Sequence, residues 1–241
     1  MAEKITGIVL GVTKYNDSNN IVTLFTKERG RLSFISPSGS GKAANARRAK
    51  LQPLSVVTTD LNFKPNSELQ RLGSLSSSEI WTDIYFHPVK RIIALFLSEF
   101  LGRLLYATMP DPALFDFLIN SFRLLDRISD NISDYNIAFL VSLLPYSGIQ
   151  PDIIPWQPGL VFDYASGTFV METDAKGPFL KDTEAEAVEF VSRINFSNMK
   201  CLRLTNINRR QIFNSLLNYY SFHFPGLGSL KSPEIIREIF L

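Results

Sequence analysis

The sequence predicts an α+β fold: an N-terminal OB-type β-barrel, then an α-helical bundle domain carrying a loop-rich insert. Three observations predict it. Short β-branched and aromatic runs, punctuated by turn residues, fill the first eighty positions. Apolar residues recur at helical spacing from His87 onward. Proline and glycine then gather in Gly148–Pro178, between two helical stretches. The expected division is a barrel over 1–82 and a helical domain over 83–241, with the insert at about 148–180.

The barrel strands are expected at "TGIVLGVTKY" (Thr6–Tyr15), "NIVTLFT" (Asn20–Thr26) and "RLSFISP" (Arg31–Pro37). The turns "NDSNN" and "KERG" separate them. "LQPLSVVTTDLNF" (Leu51–Phe63) supplies a fourth strand and "ELQRLGSLSSSEI" (Glu68–Ile80) a fifth. A long basic loop between the third and fourth strands suits an OB barrel, although periodicity alone does not separate it from an SH3-like one.

Helices follow at His87–Met109, which Pro110 and Pro112 end, and at Ala113–Ile128 and Asp134–Gly148. Their apolar residues cover much of the circumference, so they are expected to pack on one another. The insert holds a hairpin in "LVFDYASGTFVM". Thr183 and Glu186 read as a capping box for the next helix, and another runs over Asn208–Phe224. Ser232, followed by Pro233, is expected to cap a short last helix.

The net charge of +2 conceals an asymmetry. Arg29–Thr59 holds six basic residues and no acidic one, residues 60–196 carry a net −8, and residues 197–241 a net +4. A concentrated positive zone beside an acidic middle offers a polyanion one landing place. The longest apolar run near a helix, "IIALFL", is far short of a membrane span. The N-terminus enters a strand-like run without a cleavage site, so no export signal is expected. Cys201 stands alone, which fits a reducing compartment.

"SPSGSGKAANARRAK" (Ser36–Lys50) imitates a phosphate loop, but Ser36 occupies the first glycine position and Ala43 follows Lys42. The backbone cradle and the magnesium hydroxyl are both missing, so nucleotide binding is not expected. No motif spacing for hydrolysis or zinc occurs, and His87 and His223 lie on different helical segments. An enzyme is not expected, nor a cofactor or metal. What remains is Lys42, Arg47, Arg48 and Lys50, spaced by alanines behind Gly39 and Gly41. Such cations reach phosphates without reading sequence. Tyr15, Phe25, Phe34 and Phe63 are candidates for stacking on bases, in competition with the barrel core.

The order of these features resembles the RecO family of bacterial DNA repair proteins over nearly the whole chain. The stretches that carry it are the basic loop running into "LQPLSVV", the bundle segment "SEFLGRLL", the insert and the terminal "LGSLKSPEIIREIF". The resemblance implies a cytoplasmic, nucleoid-associated recombination mediator. It would bind single- and double-stranded DNA, anneal complementary strands and help load the recombinase RecA. RecR and the C-terminal tail of single-stranded-DNA-binding protein are the implied partners. DNA-binding roles come by resemblance to Lys42, Arg47, Arg48 and Lys50, with Arg29 and Arg31 as a second tier. Arg103 in "SEFLGRLL" is the implied contact for the acidic tail, against a plain ion pair with Glu99. Arg209, Arg210 and Lys231 would extend the positive surface. Many relatives hold zinc in the insert with four cysteines, whereas Gly148–Pro178 has neither Cys nor His. A module held by Trp156, Phe162, Tyr164 and Phe169 is expected in its place. The competing reading is a protein-interaction scaffold whose basic loop is merely solvated.

Overall fold

Three antiparallel strands open the fold: β1 (Glu3–Lys14), β2 (Asn19–Thr26) and β3 (Gly30–Pro37). The computed structural model describes residues 3–106 and 109–239. Next come helix α1 (Lys42–Lys50), strand β4 (Val56–Leu61) and two short strands, β5 (Leu69–Arg71) and β6 (Leu75–Ser77). The fifth strand expected from sequence is thus broken in two. Its first half runs parallel to β3 and its second half antiparallel to β4. In the order β5-β3-β2-β1-β4-β6 the two halves occupy opposite edges. The segment joining them closes the sheet on itself, which is the OB connectivity. Gly73 sits at this crossing, where a Cβ would collide with the backbone carbonyl of Asp60.

Alternation along the strands fills the interior with Ile5, Val9, Val22, Leu24, Phe34 and Val57. Phe34 is therefore core. Phe25, on the outer face, is also buried, its ring 6.1 Å from that of Phe115. Neither is available to stack on a base. A bulge at Leu10 shifts the register between Val9 and Gly11. Its carbonyl accepts the Ser98 hydroxyl at 2.8 Å from α2 (Pro88–Leu104). Gly102 of the same helix lies over Leu10. Helix α3 (Pro112–Arg127) starts rather than stops at Pro112, because Asp111 caps it by accepting the N–H of Leu114 at 2.9 Å.

Chain packing groups Met1–Arg127 with Leu230–Pro233 as one unit and Ile128–Ser229 with Glu234–Leu241 as a second. In the second, α4 (Tyr135–Leu143) is almost wholly buried, and its Leu140 carbonyl accepts the Tyr220 hydroxyl at 2.8 Å. The insert forms a small sheet, with β7 (Leu160–Asp163) between β8 (Thr168–Met171) and β9 (Phe179–Leu180). The Phe162 ring meets Tyr164, Phe169 and Tyr219 at 5.6–6.1 Å. Trp156 joins through its indole N–H, which donates to the Leu160 carbonyl at 3.2 Å. Asp163 is buried and accepts N–H groups from Ser166 and Gly177, tying two turns together. Burial raises its pKa, but these bonds and the Ser166 hydroxyl outweigh that and hold it below the usual carboxylate range. Among the described residues no three His, Cys, Asp or Glu side chains cluster to hold a metal.

Helix α5 (Asp182–Val191) follows without a side-chain cap, and Thr183 lies inside it. The capping box does not form; Asp182 and Glu184 in the first turn instead complement the helix dipole. Helix α6 (Asn206–His223) is capped by Thr205, which accepts the N–H of Asn208 at 3.2 Å. The last helix, α7 (Ser232–Ile239), begins at Ser232 itself, whose hydroxyl donates to Glu99. No helix among the described residues is long and apolar enough to cross a membrane.

Candidate nucleic-acid interface

The basic stretch is not a loop. Lys42–Lys50 forms α1, because alanine, lysine and arginine are strong helix formers and Gly41, at φ 102°, turns the chain into its first residue. Nothing in α1 is buried. Leu51, immediately after it, enters the barrel core and anchors the exposed helix. Arg47, Arg48 and Lys50 sit in the last turn, where they also offset the negative end of the helix dipole.

At about 100° per residue, Lys42, Lys50 and Arg47 share one sector of roughly 140°, with Arg48 on the opposite side of the helix. Lys42 and Arg48 are exposed and Arg47 half-buried. Arg48 folds back to donate to the Asn45 side-chain carbonyl at 2.7 Å. The Lys50 ammonium donates to the Leu75 carbonyl at 2.7 Å, tying α1 to β6. Ion pairs elsewhere engage Lys14, Lys27, Arg29, Lys90, Arg103, Arg123, Lys181, Arg193 and Arg209. Among the described residues no cation of α1 has an acidic partner.

Arg29 and Arg31 flank Gly30 and differ. Arg29 donates to Glu3 at 2.6 Å, which raises its pKa, and its guanidinium lies 4.2 Å from the Phe63 ring centre. Among the described residues Arg31 enters no ion pair, and it lies 4.7 Å from the Tyr106 ring centre. Burial lowers its pKa, and its Nη1 is buried without a hydrogen-bond partner. Arg31 follows the outward alternation of β3 with Ser33 and Ile35, and Thr23 faces Ser33 from β2. On β5, Arg71 pairs with Ile35 and points the same way, since Gln70 and Leu72 are buried. Arg71 is exposed and enters no ion pair among the described residues.

The remaining predicted cations are dispersed. Arg103 donates to Glu99 at 3.1 Å. Lys231 is exposed, and its backbone N–H also goes to Glu99. Arg209 is only 12% exposed and donates to Asp134 at 2.8 Å, to Asn206 and to the Leu204 carbonyl, so most of its hydrogen-bonding capacity is engaged within the second unit. Arg210 beside it is exposed. Tyr106 and Arg71 had no signal of their own in the sequence: one sits at the end of an apolar helix, the other in a strand too short to show alternation. Apart from these, the second unit contains an open apolar cleft of about 230 Å³ between α5, α6 and β7, with Glu184, Phe190 and Tyr219 among its lining.

Comparisons with known proteins agree along the full chain. The family model for the Recombination protein O N terminal matches residues 1–81, and that for the Recombination protein O C terminal matches 87–234. The chain is 35% identical to the DNA repair protein RecO of Porphyromonas gingivalis over 97% of both chains. It is 31% identical to that of Phocaeicola vulgatus over 100% of both. The Flavobacterium psychrophilum protein of the same name is 27% identical, again over 100% of both. With an OB-type barrel, a helical domain and full-length matches of this kind, the chain belongs to the RecO family of DNA repair proteins.

Proposed function

We propose that this protein is a non-enzymatic recombination mediator. It binds single- and double-stranded DNA, anneals complementary strands and helps load RecA on strands coated by single-stranded-DNA-binding protein. It acts in the bacterial cytoplasm, at the nucleoid. The observation that carries the reading is α1: Lys42, Arg47 and Arg48 lie within seven residues on one exposed helix and, among the described residues, have no acidic partner. Phosphates neutralised there release counterions, and two strands held on such a surface repel each other less. Base pairing then supplies the free energy, so annealing needs no fuel.

RecR and the acidic tail of single-stranded-DNA-binding protein are the proposed protein partners, with Arg103 the tail's proposed contact. The Glu99 pair competes for that guanidinium, so Arg103→Ala weakens tail-peptide binding only if the tail displaces it. A second reading, the protein-interaction scaffold, draws support from the apolar cleft of the second unit. Annealing followed by energy transfer between two labelled complementary strands separates the two. The mediator speeds annealing without nucleotide and loses that on Lys42/Arg47/Arg48→Ala; the scaffold does neither.

A further inference from the structure

The apolar cleft of the second unit plays no part in the DNA reading. Thr183, Glu184, Ala187, Val188 and Val191 line one wall, and their spacing puts them on a single face of α5. Asn208, Ile212, Leu216 and Tyr219 line the other wall as one stripe of α6. The rings of Phe162, Tyr164 and Tyr219, 5.5–6.1 Å apart and buried, close its base. Val188, Ile212 and Leu216 stay half-buried, and Phe190 is 48% exposed. The charge is one-sided. Among the described residues Glu184 is the only charged group of the lining, and Asp182 and Glu186 stand exposed beside it on α5. None of the three enters an ion pair among the described residues, and α5 itself contains no base.

We propose that this cleft docks an amphipathic helix of a partner protein, one with apolar side chains on one face and Lys or Arg beside them. The proposal goes beyond the DNA-binding reading and does not depend on it. A furrow between two helices receives a third by the same ridges and grooves that pack helices in a core. At about 230 Å³ the cleft has room for a few apolar side chains, the anchors of such a helix. Scattered surface apolar residues are ordinary, but here they line one concavity. The acidic wall selects the partner's sign. The charge of Glu184 reaches the Tyr164 phenol, where it adds to burial in raising the pKa to about 12. A cation brought to this wall therefore meets a carboxylate and an aromatic ring together. An acidic peptide is repelled by the same wall, which separates this cleft from the tail contact proposed at Arg103.

The test uses the full-length protein and two labelled helical peptides with the same leucine face, one flanked by lysines and one by glutamates, followed by fluorescence anisotropy. Wild type is expected to prefer the lysine peptide. Glu184→Lys, a change at an exposed position, weakens that peptide by about 3- to 10-fold and strengthens its glutamate twin. Ala187→Trp fills the cleft from the α5 wall and weakens both peptides by about tenfold or more. An unchanged thermal midpoint shows that each variant is folded. Failure of wild type to bind the lysine peptide overturns the proposal, as does preference for the glutamate peptide. Undiminished binding to a folded Ala187→Trp protein overturns it too, because the peptide then sits elsewhere.

Discussion

The carboxylate of Glu99 accepts the backbone N–H of Ser232 at 2.9 Å, across 133 positions of sequence. It also takes the Ser232 hydroxyl, the N–H of Lys231 and the Arg103 guanidinium. The two stretches "SEFLGRLL" and "LKSPEIIREIF" are therefore two sides of one contact. Ser98 and Gly102 hold the helix on the β1 bulge, while Glu99 caps the start of α7. Glu99→Gln weakens the acceptor that four donors share and is expected to lower stability by about 1–3 kcal/mol. Arg103→Ala, which leaves the Lys231 and Ser232 donors to Glu99 in place, is expected to cost less than Glu99→Gln. Urea midpoints of the two variants check the order; equal midpoints would show that Glu99 is not the hub.

Acid should loosen the fold through three carboxylates. Burial raises the pKa of each of Glu99, Asp126 and Asp163, but their hydrogen bonds outweigh it and hold each below its ordinary value. The unfolded chain takes up these protons first, at about pH 4. Their contribution is complete above about pH 5 and disappears as pH falls through the lower, folded values. Urea midpoints should be level from neutral pH to about 5 and then drop, less steeply in Asp163→Asn.

The insert should be indifferent to metal. Its turns are joined by Asp163 and its sheet is packed by Phe162, Tyr164 and Phe169. A chelator is expected to leave thermal unfolding unchanged. Phe162→Ala is expected to cost about 3–5 kcal/mol. A fall in melting temperature on adding chelator contradicts this account.

Barrel closure is expected to depend on one glycine. At Gly73 any side chain meets the Asp60 carbonyl, a backbone atom that cannot turn aside. Gly73→Ala should cost about 1–3 kcal/mol, read as a lower urea midpoint. Gly11→Ala, whose Cβ has open space around it, serves as the control and should cost less.

Much of the fold was legible in alternation and helical spacing, and the misses have specific causes. Four strand positions and the bundle helices follow from where apolar residues recur. Helix α1 was hidden because it has no apolar stripe: "KAANARRAK" shows only propensity, and Gly39 and Gly41 before it read as loop. The broken last strand was hidden because Gly73 acts through a neighbour thirteen positions away, not through its own propensity. Cations could be found in sequence but not sorted. Lys42 and Arg209 look alike in composition, and only folding brings Asp134 to Arg209 and leaves Lys42 without an acid. For the aromatics, strand membership put Phe25 and Phe34 among the candidates, and burial removed them.

The central claim, that the unpaired cations of α1 hold DNA phosphates, is tested most directly by salt dependence. Anisotropy titrations of a labelled single strand are compared for wild type, Lys42/Arg47/Arg48→Ala and Lys50→Ala across a salt series. Three lost contacts at roughly 0.7 counterions each should reduce the log–log slope by about 2. Lys50→Ala, whose ammonium is occupied by the Leu75 carbonyl, should change the slope little and mainly lower stability, by about 1 kcal/mol. An unchanged slope in the triple variant would contradict the account and leave α1 as a solvated helix beside a barrel that binds DNA elsewhere or not at all.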